Sequence, residues 1–496
     1  MTSWLSRLTD RLRSPVGIYL LLAAAILSVF SPCLTAGFLN WDDPKHLVHN
    51  PFLPLHGWSD VGALFSSPAG YIRIYIPLTL LSFGAERAVW GLDPFVFHLN
   101  NILLHIATAS LVMALARRLG LSAKGSLLAA LIFALHPMRV ESVAWVTERK
   151  DVLFGAFYMG ALVLYWDYLC SSRGRLYIAS LACAIASVLA KPTAFSLPLV
   201  FFLLDHMAGR KWTTRRWMEK VPFILTLWPV AMITVLMHVR PASSDLVGAF
   251  LTWSYCATFY VIKFFFPAGM ATIYAVPRPL GLERPEYFWA VVLLVGITGT
   301  VWLLRRRRWV VFAFLFYLVS IFSVLQTELY RGAIGIVNDR FMYIPCVGFA
   351  LLSGRVWDRL LPKDPSGAAG NARTGWILAG IIVAALSMTT FNRCFVWHDN
   401  LVFWNDVLRG DPDNTFALIN RAASLLEDKS LARRYGLTDP ARYDLALQDL
   451  QKAVRRAPGD TDAWNNMGIV LNRLGRVNEA EAAFSQVGKR GGVVRR

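Results

Sequence analysis

Charged side chains are scarce in this chain. They make up 17% of its 496 residues, against roughly 25% in soluble globular domains. Acids are the scarcer kind, 32 Asp and Glu beside 50 Lys and Arg. A nucleic-acid binder would gather such a basic excess on one face. Here much of it falls in short stretches between apolar runs, where the positive-inside rule collects it, so no nucleic-acid partner is expected. Cysteine is sparse too. No two of the six have metal-ligand spacing, and they form no disulfide framework. Cys170, Cys183, Cys256 and Cys346 lie in or beside apolar runs, while Cys33 and Cys394 fall near the outer ends of expected spans. No G-x-G-x-x-G or P-loop string occurs, which leaves out those nucleotide cradles. The apolar run that follows Arg7, Arg11 and Arg13 lacks a small-residue cleavage site, and so predicts a first spanning helix with a cytoplasmic N-terminus.

What the chain does have is apolar length. Hydrophobic residues make up 56% of it and arrive in blocks, and about 18 or more suffice to cross the hydrocarbon core. The blocks predict an all-α polytopic membrane bundle with eleven spans, near 16–34, 98–116, 125–138, 152–169, 176–190, 194–208, 221–238, 287–304, 309–327, 341–354 and 375–391. Loop charge places Arg117-Arg118, Arg173/Arg175, 206–220, Arg305 to Arg308 and 355–374 in the cytoplasm. The segment 248–267 fits this count only as an external re-entrant or interfacial helix, with Tyr255, Tyr260 and Lys263 lining a cavity. A plain additional span is the alternative. The membrane domain is then 1–391, with external pieces 35–97, 137–151, 239–286 and 328–340, and a tail follows over 392–496.

The tail has the texture of a short TPR-like array. Trp464, Met467, Gly468, Leu471, Ala480, Phe484 and Val487 fit the packing positions of one repeat, and Ala446, Leu450, Ala453 and Pro458 the second half of another. About two repeats are too few to stand alone, so the tail should lean on the membrane domain. It serves either as a cap or as a grip on a peptide or partner protein.

Four external motifs can carry chemistry. Asp42 and Asp43 follow the first span. One carboxylate can take the proton of an acceptor hydroxyl, or the pair can simply cap a turn. His46 and His49 stand nearby. The hairpin from His136 to Asp151 holds six charges: Arg139, Arg149 and Lys150 suit a phosphate, while Glu141, Glu148 and His136 can orient them or a sugar. The same charges also fit a salt-bridged loop. Lys191 sits between two apolar runs and must snorkel or meet an anion. Arg340 puts another cation at the entry to the tenth span. Together these residues suit an anionic lipid headgroup entering from the bilayer with a sugar attached.

Read in order, FLNWDDPKHLVHNPFL (38–53), ALHPMRVESVAWVTERKDVLFG (134–155), LAKPTAF (189–195) and NDRFMYIPCVGF (338–349) give the chain a known look. It resembles the TMTC-like and protein O-mannosyltransferase-like membrane glycosyltransferases of GT-C architecture. The resemblance implies a polyprenyl-phosphate-linked sugar donor, a protein or glycan hydroxyl acceptor and a catalytic acid in the first external loop, matched by Asp42 and Asp43. It also implies phosphate-holding cations, with Arg139 the best match and Lys191 and Arg340 beside it. The family pattern has Asp then Glu where this chain has Asp-Asp. No cofactor is required, although the acid pair could recruit a divalent ion. A bacterial inner membrane with a periplasmic tail is the expected setting. A lipid-linked glycan flippase and a non-catalytic TPR scaffold are the other classes open to the sequence.

Overall fold

A computed structural model of the chain describes residues 14–66, 71–72, 74–237, 245–325, 335–360 and 369–494. Arg7, Arg11 and Arg13, and parts of the external pieces 35–97, 239–286 and 328–340 and of the cytoplasmic stretch 355–374, lie outside the described residues. Everything regular that is described is helical. The longer helices of the bundle are α1 (Pro15–Phe30), α2 (Pro77–Trp90), α3 (Pro94–Arg118), α4 (Ala123–Leu135), α5 (Arg149–Ser171), α6 (Gly174–Ala190), α7 (Leu197–Met207), α8 (Val221–Met237), α9 (Leu246–Phe265), α10 (Pro285–Leu303), α11 (Arg308–Ile321), α12 (Cys346–Leu360) and α13 (Ala369–Cys394). The tail adds α14 (Asn400–Gly410), α15 (Thr415–Glu427), α16 (Asp439–Arg456), α17 (Thr461–Arg473) and α18 (Val477–Lys489). Their starts are written in the sequence. Ser14, Asp93, Ser122, Asp399 and Asn414 accept a first-turn N–H, and prolines stand at or next to the first position of α1, α2, α3 and α10.

Six described helical segments are long and apolar enough to cross a membrane, or seven if Ala123–Leu135 and Pro137–Ala144, bent by 57°, form one span. The chain is an integral membrane protein. The eleven spans read from the sequence outnumber these for a physical reason. Gly174–Ala190, Pro192–Met207 and Arg308–Ile321 are apolar but short. In α12, Arg355, Asp358 and Arg359 dilute the apolar run, and Asp358 accepts from Ser122.

The bundle has two distinct ends. One carries His136, Lys191 and Arg340. The other carries the Arg118–Asp167 pair and a charged knot around Asp205. α9 is one uninterrupted 20-residue helix with the length and hydropathy of a span. Its neighbours tell where it lies. It runs beside α10 in the same direction, with Gly248 against Leu280 and Tyr255 5.6 Å from Tyr287. Its last turns reach His136, through the Phe264 carbonyl at 3.0 Å, and Asn338, whose N–H donates to the Tyr260 hydroxyl at 3.0 Å. The last turns of the helix therefore lie at the Lys191 end of the bundle.

The tail docks on that same end. α15, α16 and α17 pack in succession, and α18 folds back on α17, where Gly468 leaves room for the Phe484 ring. Arg421 forks onto Asp449 at 2.8 and 2.7 Å to tie α15 to α16. Arg393 bridges the end of α13 to Asp406 of α14 at 3.0 Å.

Candidate functional site

The first loop leaves α1 through a short 3-10 turn, Ser31–Thr35, and reaches Asn40-Trp41-Asp42-Asp43. The adjacent acids part ways. Asp43 is fully buried: one carboxylate oxygen accepts the Leu39 N–H at 2.8 Å, and the other accepts the Thr147 N–H at 3.1 Å and the Thr147 hydroxyl. Burial pushes its carboxyl up to about 6 despite those bonds. Asp43 pins the first loop to the 137–151 hairpin. Asp42 is half-buried and its carboxylate has no hydrogen-bond or ion-pair partner among the described residues. Of the two, Asp42 is the group with an oxygen to spare for a substrate hydroxyl.

Trp41 stacks on Trp145 at 4.5 Å and 20°, which joins the loop to a cluster of six charges. Glu148 holds Lys150 at 2.9 Å, Arg340 at 3.4 Å and Lys191 at 3.9 Å. Lys191 pairs with Asp151, and Arg340 with Glu141. The Glu141 carboxylate also accepts the Arg340 backbone N–H at 2.8 Å. Lys150 and Arg340 lie 5.6 and 5.8 Å from the Trp145 ring. His46 belongs here as well: it is buried, its neighbours include Lys150 and Glu148, and burial first and Lys150 second push its imidazole down to about 3, so it stays neutral. His49 is exposed.

Three segments supply the cluster, and local structure explains each. His136 caps the turn Pro137–Arg139 by accepting the Met138 N–H, and the chain then kinks twice before α5 begins at Arg149. Those kinks turn Glu141, Glu148 and Asp151 inward together. Pro192 ends α6 at Lys191, whose backbone is extended. Asn338, also extended, leads into the turn Asp339–Met342 that presents Arg340.

Several expected site residues have other duties. Arg149 is buried, and four of its five N–H donors go to Glu86 of α2, Asn101 and the Phe97 carbonyl. Arg139 is sealed at 0% exposure between Phe133 and Tyr343, with one N–H on the Met342 carbonyl. Its Nε and Nη2 are buried without a hydrogen-bond partner, so the residue expected first among the phosphate ligands is enclosed in this arrangement with donors unspent. His136 spends both nitrogens on Met138 and Phe264 and is not a sugar-orienting group. Lys263 ties down the loop that follows its helix by donating to the Ala268 and Gly269 carbonyls at 2.5 and 3.0 Å. Tyr260 is buried on the Asn338 amide. Of these three α9 residues, Tyr255 lines a groove, an apolar one of ≈ 650 Å³ between α9 and α10. Lys191, Arg340 and Lys150 remain as cations for an anion, and Glu141 and Glu148 hold them in place.

A narrow cleft of ≈ 20 Å³ opens over this cluster, lined by Asp151, Lys191, Thr193, Ser196, Ser320 and Arg340 among others. That is room for about one water. Behind Arg340, Asp339 accepts from Tyr274 at 2.9 Å, and burial with Glu141 nearby pushes its carboxyl up to about 7. Among the described residues no three His, Cys, Asp or Glu side chains gather to hold a metal ion.

Sequence reasoning missed Thr147, Trp145 and Glu86 as partners. Equal numbers of acids and bases within 139–151 were the available signal that this hairpin pairs much of its own charge. Nothing local marked Glu86.

No protein-family model matches the chain. It is similar to the human protein O-mannosyl-transferase TMTC3, at 21% identity over 94% of this chain and 54% of that protein. It is similar to the Drosophila melanogaster Tmtc3 at 22% over 84% and 52%. Xenopus laevis tmtc2 is 35% identical over 31% of this chain and 19% of its own length. The chain thus spans about half the length of TMTC3. Among solved structures, an Archaeoglobus fulgidus oligosaccharyltransferase tethered to an acceptor peptide aligns with 86% of this chain and 59% of its own, at 10% identity and a TM-score of 0.40. With the acids, the paired cations and the helical frame in view, and with similarity running along more than nine-tenths of the sequence, the chain resembles the TMTC protein O-mannosyl-transferases.

Proposed function

We propose that the protein is a GT-C-type membrane glycosyltransferase that moves a mannose-like sugar from a polyprenyl phosphate to a hydroxyl, a Ser or Thr of a protein. The observation that carries this reading is the contrast within the first loop: Asp43 is spent on structure while Asp42 keeps a free carboxylate, beside a stack of indoles that ends on Lys150 and Arg340. Asp42 takes the proton of the acceptor hydroxyl, whose oxygen bonds to the anomeric carbon. The bond from that carbon to the phosphate oxygen breaks, and the lipid phosphate leaves with the electron pair. Lys191, Arg340 and Lys150 meet that charge at fixed positions, which costs little reorganisation. The ion pairs with Glu148, Glu141 and Asp151 keep the cations aimed. The reading places the reaction and the tail on the periplasmic face of a bacterial inner membrane.

The test is transfer from radiolabelled mannosyl polyprenyl phosphate to Ser- and Thr-containing peptides by the purified full chain. Asp42→Asn should lower transfer by ~10³-fold or more, the scale of a lost general base with its positioning. Equal transfer by wild type and Asp42→Asn removes the assignment.

A further inference from the structure

The tail does more than rest on the bundle. Asn40, two residues before Asp42, has every polar atom of its side chain met by the first helix pair of the tail. Its Oδ1 accepts the Trp404 indole N–H at 2.7 Å, and its Nδ2 donates to the Ser424 hydroxyl at 2.9 Å and the Asn420 carbonyl at 3.1 Å. Its backbone N–H donates to Asn400 Oδ1 at 2.7 Å. Three residues earlier, the Gly37 N–H donates to the His398 carbonyl at 2.9 Å. Trp41 adds ring contacts with Phe403, Trp404 and Phe416 at 5.6, 6.2 and 6.4 Å. A tail needed only as a lid would bury apolar surface. A primary amide offers two donors and an acceptor, and a match to all of them fixes both position and orientation.

We propose that α14 and α15 are a working part of the catalytic site: Asn400, Trp404 and Ser424 clamp Asn40 and so set where the Asp42 carboxylate stands. The other side of Asp42 is held by Asp43 on Thr147. The acid thus sits between two clamps, one from the bundle and one from the tail, and a base displaced by about 1 Å can lose 10²-fold in rate. Asn400, Trp404 and Ser424 are positioning residues, acting through Asn40. The proposal rests on the reading of Asp42 as the base.

The test uses full-length protein and two readouts. The first is kcat and KM for mannosyl transfer. Asn40→Ala should lower kcat ~10-fold or more while KM for donor and peptide stays within about twofold. Ser424→Ala should give a smaller fall that Ser424→Thr, which keeps the hydroxyl, largely reverses. If Asn40→Ala does not fold, Trp404→Phe removes the indole donor to the same amide and serves in its place. The second readout needs no activity: labelling of Asp42→Cys by a water-soluble maleimide, with and without Asn40→Ala, against the background of the native cysteines. Release of the clamp should speed labelling about fivefold or more. Unchanged kcat with unchanged labelling overturns the proposal, as does a rise in peptide KM alone, which would make the tail a grip for the acceptor only. Should Asp42→Asn retain full transfer, the base assignment fails by itself, and the labelling rate then decides whether the clamp stands.

Discussion

The protein contains two buried knots of charge, one at each end of its helical bundle, and they are built differently. The knot at the Arg118 end is local in sequence. Asp205, fully buried, is held by Lys220, by Arg216 at 3.0 Å and by Arg210 at 3.0 Å, and Arg210 also reaches Glu219 at 2.6 Å. The Tyr165 hydroxyl donates to Asp205 at 3.2 Å, and the Trp212 ring covers Arg216 at 3.7 Å. The knot at the Lys191 end joins segments that are 40 to 199 positions apart, borders a cleft and leaves Arg340 15% exposed. The first knot seals a turn between helices. The second lies beside an opening. Charge density alone does not separate structure from function; the presence of an opening beside the charges does.

That comparison can be broken by mutation. The largest effect should come from the fork of Arg340. Arg340→Lys keeps a positive charge near Glu141 and Glu148 but loses the planar pair of donors, and transfer should fall ~10–100-fold with little change in thermal midpoint. Transfer at the wild-type rate would make the Lys191-end cluster as structural as the other. Lys220→Met should do the reverse. It strands part of a buried carboxylate and should cost about 3–5 kcal/mol of stability, while transfer per folded molecule stays the same. A loss of transfer without a loss of stability would place the Asp205 knot in the reaction.

The smallest effect concerns pH. The Asp339 carboxyl is raised from its ordinary 3.8 to about 7 in the folded protein. Its contribution to stability is therefore complete below about pH 4 and is lost as pH rises through about 7. Wild-type protein in detergent should be more stable at pH 5 than at pH 8, by roughly 2–4 kcal/mol from this group. Asp339→Asn, which can still accept from Tyr274, should flatten that difference. The same slope in the variant would assign the dependence to another group, such as Asp43.

Much of this was legible from the chain alone. Apolar blocks of span length and the prolines and caps that bound them gave the helices, because backbone hydrogen bonding inside a bilayer leaves little else. The strings around Asp42, His136, Lys191 and Arg340 pointed to one end of the bundle, and Lys191 and Arg340 do meet there around Glu148. The sequence could not separate Arg139 and Arg149 from Lys191 and Arg340, because their types and neighbours suit a phosphate as well as they suit a buried site. Only Glu86, 63 positions away from Arg149, and the Phe133 and Tyr343 rings around Arg139 decide the matter.

What the sequence determined by itself is where the chain turns apolar, where helices start, and which residue types line the external segments, since each is set by neighbours within a few positions. What the tertiary structure decided is the division of labour: Asp43 spent and Asp42 free, Arg149 spent and Arg340 at the cleft, Asn40 handed to the tail. The reason is that a carboxylate or guanidinium has the same chemistry wherever it sits. Its role depends on which partners have already taken its hydrogen bonds, and those partners come from distant parts of the chain.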